Sequence, residues 1–182
     1  MQGQLATIIE EFEAAQQRLD RLIAGLPEEK WSMTNDPARW SVAQCIAHLN
    51  LTSRAFIALI RDALEKCRSI DGKPPGRYHM DFAGWMIWRA SGPGRGFGRM
   101  RTTPPFVPQG ELARESVIAE FARLQEEQIK CVGEADGLPL GRVRVTSPFN
   151  ARLKYNVYSA LSILPRHQHR HLQQAEHVWA SA

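Results

Sequence analysis

Apolar residues recur along most of this chain at steps of three and four, the period of an amphipathic helix. In "QLATIIEEFEAAQQRLDRLIAGL", Leu5, Ile8, Ile9, Phe12, Leu19, Leu22 and Ile23 form one stripe, and Gly25 and Pro27 end it. A second helix is predicted from Ser41, where Ser41 and Gln44 have the spacing of a capping box. Its body carries two apolar rows, one through Ile46, Leu49, Phe56 and Ile60 and one through Ala47, Leu51, Ala55 and Leu59. So wide an apolar surface suits a helix wedged between neighbours. A third helix is read in "ELARESVIAEFARLQEEQIKCVGEA", with Leu112, Val117, Ile118, Phe121, Leu124 and Ile129 inward and Gly133 or Gly137 at its end. The last runs through "NVYSALSILPRHQHRHLQQAEHVWA".

Between the second and third helices the periodicity fails. Glycine and proline cluster at 72–76 and again from Gly92 to Pro108, and only "MDFAGWMIWRA" between them is apolar enough for a short helix. A structureless crossing of that length is unusual in a compact domain, so it should be partly helical and well packed. After the third helix, "GRVRV" could be briefly extended, but no partner strand is evident. The pattern predicts an all-α chain: a four-helix bundle with a long crossover between helices 2 and 3, residues 1–182 forming one domain.

Composition changes this picture little. Hydrophobic residues at 43% and charged residues at 23% are ordinary for a soluble domain. No run of about 18 apolar residues occurs, so no membrane span is expected. The N-terminal stretch is acidic and amphipathic, unlike a secretory signal, which makes the cytoplasm the expected location. Cys45, Cys67 and Cys131 are scattered and odd in number, and read as buried free thiols. The net charge of +4 permits anionic partners without demanding them.

The chemistry concentrates in "LPRHQHRHLQQAEHVW", which holds His167, His169, His171 and His177. On a helical wheel Val157, Leu161, Leu164, His167, His171, Gln174 and Val178 share one face. The core-facing stripe therefore continues into two histidines, while His169 points away and His177 lies at its edge. Four residues apart, His167 and His171 project from successive turns and can reach one ion. Gln168 stands where the metalloprotease pattern has its glutamate base, so that reading loses its base. Paired histidines at a helix end also occur as a solvated face without chemistry, and two imidazoles alone make a weak site. His48, two turns into the second helix, is a candidate third ligand, or else a satisfied core histidine.

Two further segments bear on this choice. "RWSVAQCIAHLNLTS" resembles the W-S-x-x-x-x-x-x-H-L opening of the second helix in the DinB/YfiT-like superfamily. "HQHRHLQQAEHV" resembles that superfamily's C-terminal H-x-x-x-H-x-x-Q helix, and the proline-rich "TTPPFVP" resembles its crossover. The resemblance spans nearly the whole chain. It implies a helical bundle, often a homodimer, with a divalent metal held by His48, His167 and His171. Gln174 matches the family's recurrent glutamine, and Trp40 and Ser41 its helix-opening pair. Zinc and nickel both suit imidazole ligands. The family covers thiol-dependent transferases, suspected metal-dependent hydrolases and members without known activity, so the resemblance implies a small-molecule substrate without naming the reaction.

Two other functions compete. The histidines could serve a non-catalytic metal-binding or interaction module. The arginine- and glycine-rich "GPGRGFGRMR" could contact nucleic acid, but it lacks the lysine and hydroxyl of a phosphate loop and no strand precedes it, so a flexible crossover is the favoured reading.

Overall fold

The computed structural model describes residues 1–34, 36, 39–72, 76–94 and 102–181. Among them are five α-helices and one small sheet. Four helices are long: α1 (Gly3–Gly25), α2 (Val42–Arg68), α4 (Arg114–Glu134) and α5 (Val157–Ser181). The short α3 (Phe82–Ala90) lies in the long crossing, where the apolar "MDFAGWMIWRA" predicted it. The chain is thus mostly helical, as expected, with a fifth helix and a two-stranded sheet beside the four long helices.

Local chemistry sets the helix starts. The Gln44 N–H donates to Ser41 Oγ (3.2 Å) and the Ser41 N–H to Gln44 Oε1 (3.0 Å), completing the predicted capping box of α2. Asp81 caps α3 by accepting the Gly84 N–H (2.8 Å), and its other oxygen accepts the Asn156 N–H (3.0 Å). Asn156 in turn accepts the Ser159 N–H (2.8 Å) in the first turn of α5. One carboxylate therefore ties the start of α3 to the start of α5. Downstream, α4 runs through Gly133, and Gly137 just beyond it takes φ 77°, the left-handed region open to glycine. Pro165 lies inside α5, which continues through it.

The core falls into two apolar clusters. One joins Leu5, Ile8 and Phe12 of α1 to Phe56, Ile60 and Leu64 of α2, Leu124 and Val132 of α4, and Leu161 and Leu164 of α5. The other joins Leu19 and Leu22 to Ile46 and Leu49, Val117 and Phe121, and Leu172 and Ala175. The early half of α1 meets the late half of α2, the late half of α4 and the early half of α5. So α1 and α5 run one way and α2 and α4 the other. Parallel α2 and α4 require a connection that returns along the molecule, which is why the crossing between them is long. Polar residues are buried as well, among them Asn50, Gln125, Gln128 and Gln168; Gln125 donates to the Phe12 carbonyl and Gln168 to Gln125 Oε1.

The sheet corrects the reading of residues 138–156. β1 (Arg144–Ser147) pairs antiparallel with β2 (Asn150–Asn156), with an irregularity between Thr146 and Ser147. The partner strand that the sequence did not reveal is "NARLKYN". It is largely exposed until Tyr155, so it lacks the apolar alternation that marks a half-buried strand.

No helix among the described residues is long and apolar enough to cross a membrane. Most of "GPGRGFGRMR", residues 95–101, lies outside the described residues, and with it the nucleic-acid reading of that segment. Cys45, Cys67 and Cys131 are buried and unpaired, as expected; burial pushes the Cys45 thiol up to about 12.

Candidate metal centre

The three histidines singled out from the sequence come together. His48 projects from the second turn of α2, and His167 and His171 from successive turns of α5. Ring centroids lie 5.3 Å apart for His48 and His167, 4.5 Å for His48 and His171, and 4.6 Å for His167 and His171. One nitrogen from each ring lies within 4.8 Å of the others, a grouping that could hold a metal ion. Trp40 closes one side, its ring 4.8 Å from His48 and 6.0 Å from His171.

The hydrogen bonds around the rings fix which nitrogen is available. His48 Nδ1 lies 2.8 Å from the carbonyl oxygen of Phe106. A carbonyl only accepts, so Nδ1 carries the proton and Nε2 keeps its lone pair. His171 Nδ1 lies 3.0 Å from Gln174 Oε1, which gives the same result. Among the described residues His167 has no hydrogen-bond partner. Burial lowers the proton affinity of all three. It is the main cause at His48, partly offset by the Phe106 carbonyl. Burial holds His167 well below the usual range, assisted by the charges of His171, His48 and Arg170. At His171 burial, His48 and Arg170 bring the value down to about 3 against the opposing Gln174 bond. Three crowded neutral imidazoles with lone pairs free and no shared proton are a donor set suited to a soft-to-borderline divalent cation.

The other two histidines of α5 are elsewhere, as the phase of that helix predicts. His169 Nε2 lies 3.2 Å from the Glu11 carbonyl oxygen on α1, and exposed His177 bonds the Gln173 carbonyl oxygen within its own helix (2.7 Å). Also on α5, Tyr158 stacks on Tyr78 (5.4 Å) and Glu176 accepts from Arg18 (2.6 Å), away from the histidine cluster.

Beside the histidines lies a cavity of about 330 Å³, within the range of small-molecule sites. Its walls come largely from outside the four long helices. Ile87 is on α3, Thr102 and Thr103 belong to the crossing, and Phe149, Leu153 and Tyr155 belong to the hairpin. Tyr155 is 1% exposed, and burial raises its hydroxyl to about 12, which removes it as a proton acceptor near neutrality. Sequence reasoning missed these wall residues and the Phe106 carbonyl. None has a periodic signal, and a backbone carbonyl has no residue signature at all.

A mostly helical protein with three convergent imidazoles lining a cavity of about 330 Å³ is thereby defined. The sequence pattern of the DinB superfamily matches residues 11–175, and the chain belongs to that superfamily. The matched span contains His48, His167 and His171. Among curated proteins and among solved structures, none matches the chain.

Proposed function

We propose that this protein is a metal-dependent enzyme in which His48, His167 and His171 hold one divalent ion, zinc or nickel, in a four-helix bundle formed by residues 1–182. The observation that carries the reading is the convergence of three neutral imidazoles within 4.8 Å at the edge of a cavity. When bound, such an ion lowers the pKa of a water or thiol beside it and so supplies an anionic nucleophile at neutral pH. The chain's own contribution is positional. Phe106 and Gln174 hold two rings in the tautomer with a free Nε2, and Trp40 packs against both. Phe149 and Leu153 give one side of the cavity an apolar surface.

Of the two reactions the superfamily suggests, thiol-dependent transfer suits this cavity better than amide hydrolysis. The described lining holds no aspartate, glutamate or lysine that could protonate an amine leaving group. Addition of a thiolate to an electrophile requires no such acid.

Metal analysis of untagged protein purified without chelator tests the reading. One zinc or nickel per chain is expected, with loss of that metal in His48→Ala. Wild-type protein without stoichiometric divalent metal overturns it. Rates with an electrophile plus a low-molecular-weight thiol, against rates with 4-nitrophenyl esters, then separate transferase from hydrolase. Metal without either rate leaves a non-catalytic metal-binding module.

A further inference from the structure

The cavity beside the imidazoles carries positive charge and no acid. Arg170 lines it, directly before His171 on α5, while the described lining contains neither aspartate nor glutamate. Arg170 Nη1 donates to the Ala90 carbonyl at the C-terminal end of α3 (2.9 Å), which anchors the guanidinium. Arg18, Arg54, Arg61, Arg68 and Arg114 each meet a glutamate, whereas Arg170, like Arg166 one turn before it, bonds a backbone carbonyl of α3 instead, and of the two only Arg170 lines the cavity. Among the described residues no carboxylate meets Arg170. A half-buried guanidinium without a counter-charge is costly, and a divalent cation nearby would add to the imbalance.

A second polar group in the cavity is also unmatched. Thr103 lines it, and its buried Oγ1 has no hydrogen-bond partner among the described residues. The rest of the wall is mostly apolar, with Ser91, Thr102, Ser147 and Asn150 interspersed; Phe149 lies 4.5 Å from the Phe106 ring and 5.9 Å from His167. Fixed cation, spare hydroxyl and aromatic wall are complementary to one kind of molecule.

We propose that the cavity binds a small organic acid, its carboxylate held by Arg170 and its apolar body lying along Phe149 and Leu153. Arginine suits this role because its planar fork can offer two donors to one carboxylate while another N–H keeps Ala90. This deepens the proposed function: the ligand's reactivity rests on the metal centre, whereas its binding rests on Arg170 and the wall.

Calorimetric titration of the full chain with 4-phenylbutyrate and with its neutral counterpart 4-phenylbutan-1-ol tests this. It is done on zinc-loaded and on chelator-treated protein, for wild type, Arg170→Lys and Arg170→Met. Wild type should favour the acid by about tenfold or more in both forms, the strength of a charge-assisted hydrogen bond. Arg170→Lys should weaken that preference, and Arg170→Met should abolish it while still binding the alcohol. The proposal is overturned by equal binding of acid and alcohol to wild type, by no binding of either, or by a preference unchanged in both variants. A preference seen only with zinc also overturns it, because the carboxylate would then sit on the metal. If the chain takes up no metal but the Arg170-dependent preference persists, the metal reading falls and this one stands.

Discussion

The imidazole of His48 and the backbone of Phe106 are joined by a 2.8 Å hydrogen bond across 58 residues of chain. The carbonyl belongs to a 3-10 turn, Pro104–Phe106, near the end of the long crossing. The bond makes the crossing part of the histidine cluster, so an ion that orients His48 should also steady the turn. Zinc should slow hydrogen exchange at the Phe106 and Val107 amides, which bond the Thr103 and Pro104 carbonyls at 2.9 and 3.1 Å. A slowing of about five- to a hundredfold is expected, the range of an ordinary coupling between sites. Mass spectrometry of peptides spanning 102–113 reads it, and the zinc effect should vanish in His48→Ala.

Gln174 offers a narrower test, since it touches His171 but is not one of the three proposed ligands. Gln174→Leu removes the acceptor that fixes the His171 tautomer. Metal affinity should fall about 10- to 100-fold with the helix content unchanged, the usual cost of losing a partner behind a ligand. Competition against a chromogenic chelator measures it. Affinity equal to wild type would show that the bond plays no part in holding the ring.

The metal-free protein should lose stability on mild acidification. In the unfolded chain each imidazole titrates near pH 6.5. In the folded protein burial holds all three lower, His171 at about 3. The unfolded chain therefore takes up protons first as the pH falls. The stability linked to these groups is fully present above about pH 6.5 and is lost progressively below it, down towards the folded values. The slope is at most about 1.4 kcal/mol per pH unit for each histidine. Urea denaturation between pH 7.5 and 5, above the range where carboxylates dominate, should show the fall. His167→Phe should make it shallower.

Gly84 is the third residue of α3, and within a helix alanine ordinarily stabilises over glycine by up to about 1 kcal/mol. Here the sign should reverse. A Cβ at Gly84 would come within 2.0 Å of Ser159 Oγ on fully buried α5 backbone. Gly84→Ala should cost about 1–3 kcal/mol, the penalty of overpacking, and Ser159→Gly should relieve part of it. Thermal or urea unfolding of the single and double variants decides the matter.

The positions of His167 and His171 were legible because a helix has a fixed period, and the same period turned His169 away. The start of α2 was legible because Ser41 and Gln44 form a local motif with its own chemistry. His48 was only a candidate from its phase, since nothing local says that α2 and α5 bring those turns together; resemblance supplied the pairing. The hairpin was hidden for a different reason. Strand β2 exposes Asn150, Ala151, Arg152 and Lys154 and of its apolar residues turns only Leu153 and Tyr155 toward the core and cavity, too few for an alternating pattern to mark it. Arg170 was hidden because an arginine between two histidines reads as a solvated residue until its partners, or their lack, can be seen.

The imidazoles stand on α2 and α5, whose burial in the core leaves little room for change. Much of the wall facing them comes from α3, the crossing and an exposed hairpin. Substitutions at Leu153 or Ile87 can reshape the cavity from elements other than the helical turns that carry His48, His167 and His171. Under the proposed function, the residues that would hold the ion stand apart from much of the surface that would select the ligand, an arrangement through which one scaffold could pass from one substrate to another by small steps.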